Sequence, residues 1–330
     1  MREFVRPVIR MAPAKGEGGV AYLRRLLIAN GYPKISWLVN SPRLARPAGL
    51  RYVASALARL GVSGKRELSR FGGVIERGRN ASFNAQSVSA HHLDFRRPKI
   101  CPCCASERSV RLAEWDLSLW TACPLHGCAL IEHCPSCGKR LPRHCSYIEC
   151  CDSPPHWETA VVQSPSATID LLRVIARKAK IAAPAPSPAL NGLLSCLSLQ
   201  EALEFTVHLG AAAVTNPERR RKLLRIYGVE KNEISTLVDA AAEALSNWPK
   251  GFHLLIERSR NGSPETESTS VAVDFKYFSD ECYHAGGGFL GPKLKFIRDE
   301  FDRYLQTTFA HWRSDQFARI RLHHASTPGS

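Results

Sequence analysis

Ten of the twelve cysteines in this chain of 330 residues lie between Cys101 and Cys151. Nine of these ten fall into short-range groups, with Cys128 apart: Cys101-Pro-Cys103-Cys104, Cys123-Pro-Leu-His126, Cys134-Pro-Ser-Cys137, then Cys145 and Cys150-Cys151. A Cys-x2-Cys turn brings two sulfurs toward one point, and two such turns supply the four donors of a tetrahedral zinc site. Cys101 and Cys104 are separated by eighteen residues from Cys123 and His126, which is zinc-ribbon spacing with a histidine in the last place. Cys134 and Cys137 open a second site. Its closing pair is read as Cys145 and Cys150, with Cys151, His144 and His156 also within reach. The expectation is two Zn2+ ions per chain, a structural role for both, and no catalytic residues.

Other uses of the cysteines fit less well. Disulfides need an oxidising compartment, and the stretch from Met1 to Met11 carries Arg2, Glu3, Arg6 and Arg10 with no apolar core of an export signal. A catalytic zinc keeps one position open and has a general base nearby, whereas each of these clusters can be closed by protein donors. The zinc-deaminase order, His-x-Glu upstream of Pro-Cys-x-x-Cys, does not occur at this cluster. Cys128 is surplus to the four-plus-four count and is an alternative to His126, while Cys103 reads as a small apolar neighbour. Cys196 and Cys282 stand alone and read as thiols without function.

Forty-five Lys and Arg against thirty Asp and Glu give a formal charge of +15, which suits a polyanionic partner, nucleic acid being the simplest. Two runs localise the charge: Arg96, Arg97 and Lys99 ahead of the first cysteine turn, and Arg219, Arg220, Arg221 and Lys222 after Asn216-Pro217-Glu218. The second run is expected on the first turns of a helix, where side chains point all round and only some can face a phosphate backbone. There is no apolar run long enough to span a bilayer, so the expectation is a cytoplasmic protein without a membrane segment.

The flanks read as helical. Val20, Leu23, Leu26 and Leu27 recur at helical spacing and stop at Asn30-Gly31. Leu50, Val53, Leu57 and Leu60, followed by Lys65 to Phe71, fit a helix-turn-helix or an ordinary helical pair. Trp115 and Trp120 are expected to pack over the small metal-stapled core. Beyond the cysteines, a helix near Ile169 to Lys180 precedes a Pro-rich linker. Ser198-Leu199-Gln200-Glu201 then forms a capping box, and apolar stripes run through Ile234 to Leu245 and Leu294 to Phe309. Gly286-Gly287-Gly288 reads as a flexible turn without a phosphate-loop Lys. The fold class is mainly α: an amino-terminal helix-turn-helix-like domain over 1–99, a tandem zinc-binding module over 100–157 and a carboxy-terminal helical domain over 158–330.

The block from Ile100-Cys101-Pro102-Cys103-Cys104 through Trp115, Cys123-Pro124-Leu125-His126-Gly127, Leu130 and Cys134-Pro135-Ser136-Cys137-Gly138 resembles the TniQ/TnsD family of transposition target-selection proteins. Arg6-Pro7, Tyr22-Leu23-Arg24-Arg25-Leu26 and Asn30-Gly31-Tyr32 resemble that family's amino-terminal helix. Trp248-Pro249-Lys250-Gly251-Phe252 and Phe289-Leu290-Gly291-Pro292 resemble its carboxy-terminal helical region. The resemblance implies a non-enzymatic adaptor with paired zinc fingers and a carboxy-terminal helical TniQ domain. Cys101, Cys104, Cys123 and His126 carry over as the first site, and Cys134 with Cys137 as half of the second. The segment from Cys145 to Cys151 departs from the family's second Cys-x2-Cys, leaving the last two ligands open. The implied partners are a TnsC-like AAA+ ATPase and an RNA-guided CRISPR effector such as Cascade, or target DNA, with the adaptor a homodimer. The alternative is a TnsD-type protein that reads a DNA site directly.

Overall fold

The structure, a computed structural model, describes residues 8–31, 74–75, 80–94, 97–108, 110–141, 156–226, 229–260, 271–284 and 286–308. The expected helix pair between Leu50 and Phe71 lies outside them, as do Arg96, His144, Cys145, Cys150, Cys151 and Phe309. The described residues are mainly helical and divide into two compact units, Met1–Pro186 and Ser187–Ser330. No helix among them is long and apolar enough to cross a membrane.

In the first unit, Val20, Leu23, Leu26 and Leu27 form the buried stripe of helix α1, Gly19–Ala29. The helix stops where Asn30 caps it, its side-chain amide donating to Leu26 O at 2.8 Å, and Gly31 takes a left-handed φ of 74°. Entry to α1 is fixed by a buried fork: Arg25 donates through Nε to Glu17 Oε1 at 2.8 Å and through Nη2 to Glu17 Oε2 at 2.6 Å. Glu17 and Gly18 also lie along the cysteine region, with Gly18 N donating to Arg111 O and Ala113 N donating to Gly16 O. Arg111 is itself paired with buried Asp116.

A small antiparallel sheet follows, in the order β1 (Val74–Ile75), β2 (Asn80–Phe83) and β3 (Gln86–Ser89), with Ala81 opposite Val88 and Phe83 opposite Gln86. The turn between β2 and β3 is made by Asn84 and Ala85, both at positive φ, the backbone of a two-residue hairpin that matches strand twist. Asn84 Nδ2 and Gln86 Nε2 donate to Ala179 O and Lys178 O at 2.8 and 2.6 Å. They satisfy carbonyls that the end of a helix leaves open.

Between sheet and linker lie the short helix α2 (Pro102–Glu107) and, after the cysteine turns, α3 (Ser166–Lys178). Trp115 and Trp120 are fully buried, as their placement between the cysteine pairs predicted. Helix α3 falls in the first unit. There Arg173 Nε donates to Pro124 O at 3.2 Å, so α3 braces the second cysteine turn.

The second unit comprises α4 (Pro188–Leu193), α5 (Leu199–Ala211), α6 (Pro217–Leu224), α7 (Lys231–Ser246), α8 (Lys250–Arg258), α9 (Val271–Asp274), α10 (Lys276–Tyr283) and α11 (Lys295–Thr308). The Ser198 and Glu201 capping box opens α5. The stripes Ile234, Leu237, Val238, Ala241 and Leu245 of α7 and Leu294, Ile297, Phe301 and Leu305 around α11 are buried. Phe205, Phe252, Phe278, Phe289 and Phe301 fill the centre, with Phe252 and Phe278 edge to face at 5.4 Å. In Gly286-Gly287-Gly288 the first glycine takes a left-handed φ of 89°, and the other two pack closely against their neighbours. A Cβ on Gly288 would lie 2.3 Å from His208 Cγ, and one on Gly287 would lie 2.4 Å from Glu281 O, so these two positions leave no room for a side chain.

Candidate metal centre

Each donor pair sits on a turn that its own sequence dictates. Cys101 is the N-cap of α2, Pro102 occupies the first helical position, and the Cys101 sulfur accepts from Cys104 N at 3.3 Å. The second pair is held by a knuckle in which Cys123 N donates to Cys128 O and Gly127 N donates to Cys123 O, each at 2.8 Å. Gly127, at φ 70°, supplies the left-handed residue that lets the chain double back.

The four side chains Cys101, Cys104, Cys123 and His126 converge, with all donor atoms within 4.8 Å of one another. His126 Nδ1 lies 3.5, 3.2 and 3.5 Å from the sulfurs of Cys101, Cys104 and Cys123, and the Cys104 and Cys123 sulfurs are 3.8 Å apart. Zinc bonds of about 2.3 Å to sulfur and about 2.0–2.1 Å to nitrogen give a tetrahedron with edges of about 3.8 Å between sulfurs and about 3.5 Å from sulfur to nitrogen. These donors therefore fit zinc. Cys101, Cys104 and Cys123 are buried, and His126 is partly so.

The electrostatics agree. Hydrogen bonding to Cys104, then to Cys123 and Cys128, pushes the Cys101 thiol up, while hydrogen bonds from Cys101 and Cys104 hold Cys123 well below the ordinary thiol range. Closely packed thiols cannot all ionise together unless a cation offsets their charge. On the far side of the imidazole, His126 Nε2 meets Glu107 Oε1 at 3.1 Å. Sequence reasoning missed Glu107. The available signal was its place three residues after Cys104, at the end of the same short helix.

Cys134 and Cys137 sit on a second knuckle built like the first. Cys134 N donates to Lys139 O, Gly138 N donates to Cys134 O at 2.9 Å, and Gly138 has φ 68°. Cys134 is buried and Cys137 exposed. Among the described residues this is half of a donor set, since Cys145 and Cys150 lie outside them. His156 N donates to Ser136 Oγ at 3.1 Å, whereas its imidazole is exposed and 3.4 Å from Glu158.

The basic runs fare differently. Lys99 is 5 % exposed, and its ammonium donates to Leu117 O at 2.7 Å and Ser118 O at 2.9 Å. Arg97 is half-buried. Arg220 is buried against the Tyr277 ring, 4.4 Å from its centroid, and donates to Val214 O. Arg219 and Lys222 both approach Glu233, at 3.2 and 3.6 Å. Arg221 is exposed.

The described residues are mainly helical and bring Cys101, Cys104, Cys123 and His126 together in a Cys3His donor set that could bind zinc. Residues 8–130, from the amino-terminal helix through the four-donor cluster, match the TniQ family model. The match does not extend to the carboxy-terminal helical region, to which the resemblance had assigned the TniQ domain. No curated protein matches the chain. The TniQ match suggests a protein associated with target selection in transposition.

Proposed function

We propose that this chain is a non-enzymatic target-selection adaptor that joins a target-marking complex to a TnsC-like AAA+ ATPase. The marker is an RNA-guided Cascade or effector complex, and the adaptor works as a homodimer. The observation that carries the reading is the four-donor cluster inside the TniQ match. Cys101, Cys104, Cys123 and His126 would hold one zinc ion, and Cys134, Cys137, Cys145 and Cys150 a second. With four protein donors no position is left for water, so bound zinc would supply cross-linking of the turns and no hydrolytic chemistry. The inward commitment of Lys99 and Arg220 supports docking on proteins over phosphate-tracking by those cations.

Metal analysis of the purified full chain should find two zinc ions, and chelation should disorder the cysteine region. Co-purification should recover the ATPase or guide complex encoded nearby, and light scattering should give a dimer. A monomer that recovers neither partner and binds one naked DNA site with nanomolar affinity at physiological salt would overturn the proposal in favour of a direct DNA reader.

A further inference from the structure

Three sulfurs beside the four-donor cluster form a second group. Cys128 Sγ lies 3.5 Å from Cys101 Sγ and 3.9 Å from Cys103 Sγ, and all three are within 4.8 Å of one another. We propose that Cys101, Cys103 and Cys128 form a separate metal site, a three-sulfur pocket for one soft, thiophilic d10 ion that shares the Cys101 sulfur with the four-donor site.

The backbone explains how the pocket arises. Cys103 and Cys104 are consecutive on α2, so their side chains leave the helix about 100° apart. Cys104 turns to Cys123 and His126, and Cys103 turns to Cys128. Cys101, at the N-cap, stands between the two groups. Cys128 is held facing inward by the knuckle, because its carbonyl accepts from Cys123 N, and its side chain is fully buried. Cys103 is half-exposed and gives an ion a way in.

Metal–sulfur bonds of about 2.3 Å place sulfurs about 3.8 Å apart in tetrahedral and about 4.0 Å apart in trigonal coordination, close to the spacings found. No carboxylate or imidazole belongs to this trio, and thiolate-only donors select soft ions such as monovalent copper over hard ones. As the ion bonds to Cys103 and Cys128 each thiol gives its proton to solvent, while Cys101, already a thiolate when it ligates the four-donor ion, only adds a bond, so binding involves no change of oxidation state. The site goes beyond the adaptor reading and rests on geometry alone.

The test uses the full chain loaded with cadmium-113. Wild type should bind one cadmium ion more than Cys103→Ser, and two of its resonances should be split by coupling through the shared Cys101 sulfur. In Cys103→Ser one resonance and the splitting should both disappear, while cadmium at the four-donor site is retained. Cys196→Ser, which removes an exposed thiol in the other unit, should leave the count unchanged. Cys128→Ser should behave like Cys103→Ser. Should its buried position prevent folding, the half-exposed Cys103 variant still decides the matter. Equal stoichiometry in wild type and Cys103→Ser, or an additional ion whose resonance is uncoupled, would overturn the shared site. Loss of the four-donor ion from wild type would instead count against the adaptor reading.

Discussion

Glu107 Oε1 lies 3.1 Å from His126 Nε2, while His126 Nδ1 faces the three cysteine sulfurs. One short helix therefore presents both a donor, Cys104, and the carboxylate that orients the fourth donor. A carboxylate on the outer ring nitrogen holds the proton there, leaving Nδ1 free to accept a metal and raising its basicity.

Glu107→Ala is accordingly expected to weaken zinc binding by about 10–100-fold without unfolding the metal-loaded chain, and Glu107→Gln to fall between. Competition with a chromogenic chelator measures this directly. Equal affinity in wild type and Glu107→Ala would show that the carboxylate is only a surface neighbour.

Lys99 gives a second test, because sequence alone placed it among the nucleic-acid contacts. Its ammonium is buried and donates to the carbonyls of Leu117 and Ser118. Lys99→Ala leaves buried carbonyls without that donor, so it should cost about 1–3 kcal/mol of stability and leave the salt dependence of any DNA binding unchanged. Denaturant midpoints and the slope of affinity against salt separate the two roles. A slope reduced by about one phosphate contact, with stability unaffected, would restore Lys99 to the DNA surface.

What could be read in the sequence was whatever depends on neighbours along the chain. The stripe ending at Asn30-Gly31, the Ser198 and Glu201 box and the Cys-x2-Cys turns are local patterns, and each appears at its expected place. The β2–β3 hairpin was not legible, because Asn84-Ala85 lacks the glycine that usually marks two positive φ values. Lys99 and Arg220 were read as surface charge because nothing nearby in sequence names their partners. Lys99 meets carbonyls of 117 and 118, and Arg220 meets the ring of Tyr277. Glu107 was missed for the same reason, its partner being nineteen residues away.

Helix packing in the second unit turns on one small residue. A Cβ at Gly210 in α5 would lie 2.1 Å from Leu237 O on α7, and a carbonyl in a helix cannot move aside as a side chain can. Gly210→Ala should force the two helices apart and destabilise the unit by roughly 1–3 kcal/mol or more, despite the better helix propensity of alanine. A thermal melt in which Gly210→Ala matches or exceeds wild type would contradict this close approach.

The last test concerns pH. Hydrogen bonds from Lys293 first, and from Ser198 second, lower the Glu201 carboxyl from 4.5 to about 2. Lys293 Nζ donates to Oε1 and Oε2 at 2.9 and 2.8 Å, and Ser198 N donates to Oε2 at 2.7 Å, so one carboxylate joins the cap of α5 to the turn before α11. Because the folded value is the lower one, the stabilisation is complete above the unfolded value of 4.5 and is lost as pH falls toward about 2. Both side chains are more than a third exposed, so solvent screening limits the ion-pair part to about 1 kcal/mol or less. Glu201→Gln should therefore be less stable than wild type near pH 7, and the gap should narrow as the pH approaches about 2. Reading the difference between the two proteins cancels acid effects that both share, including loss of metal from the first unit. A gap that stays constant from neutral to strongly acid pH would mean that Glu201 acts only through its shape and its cap.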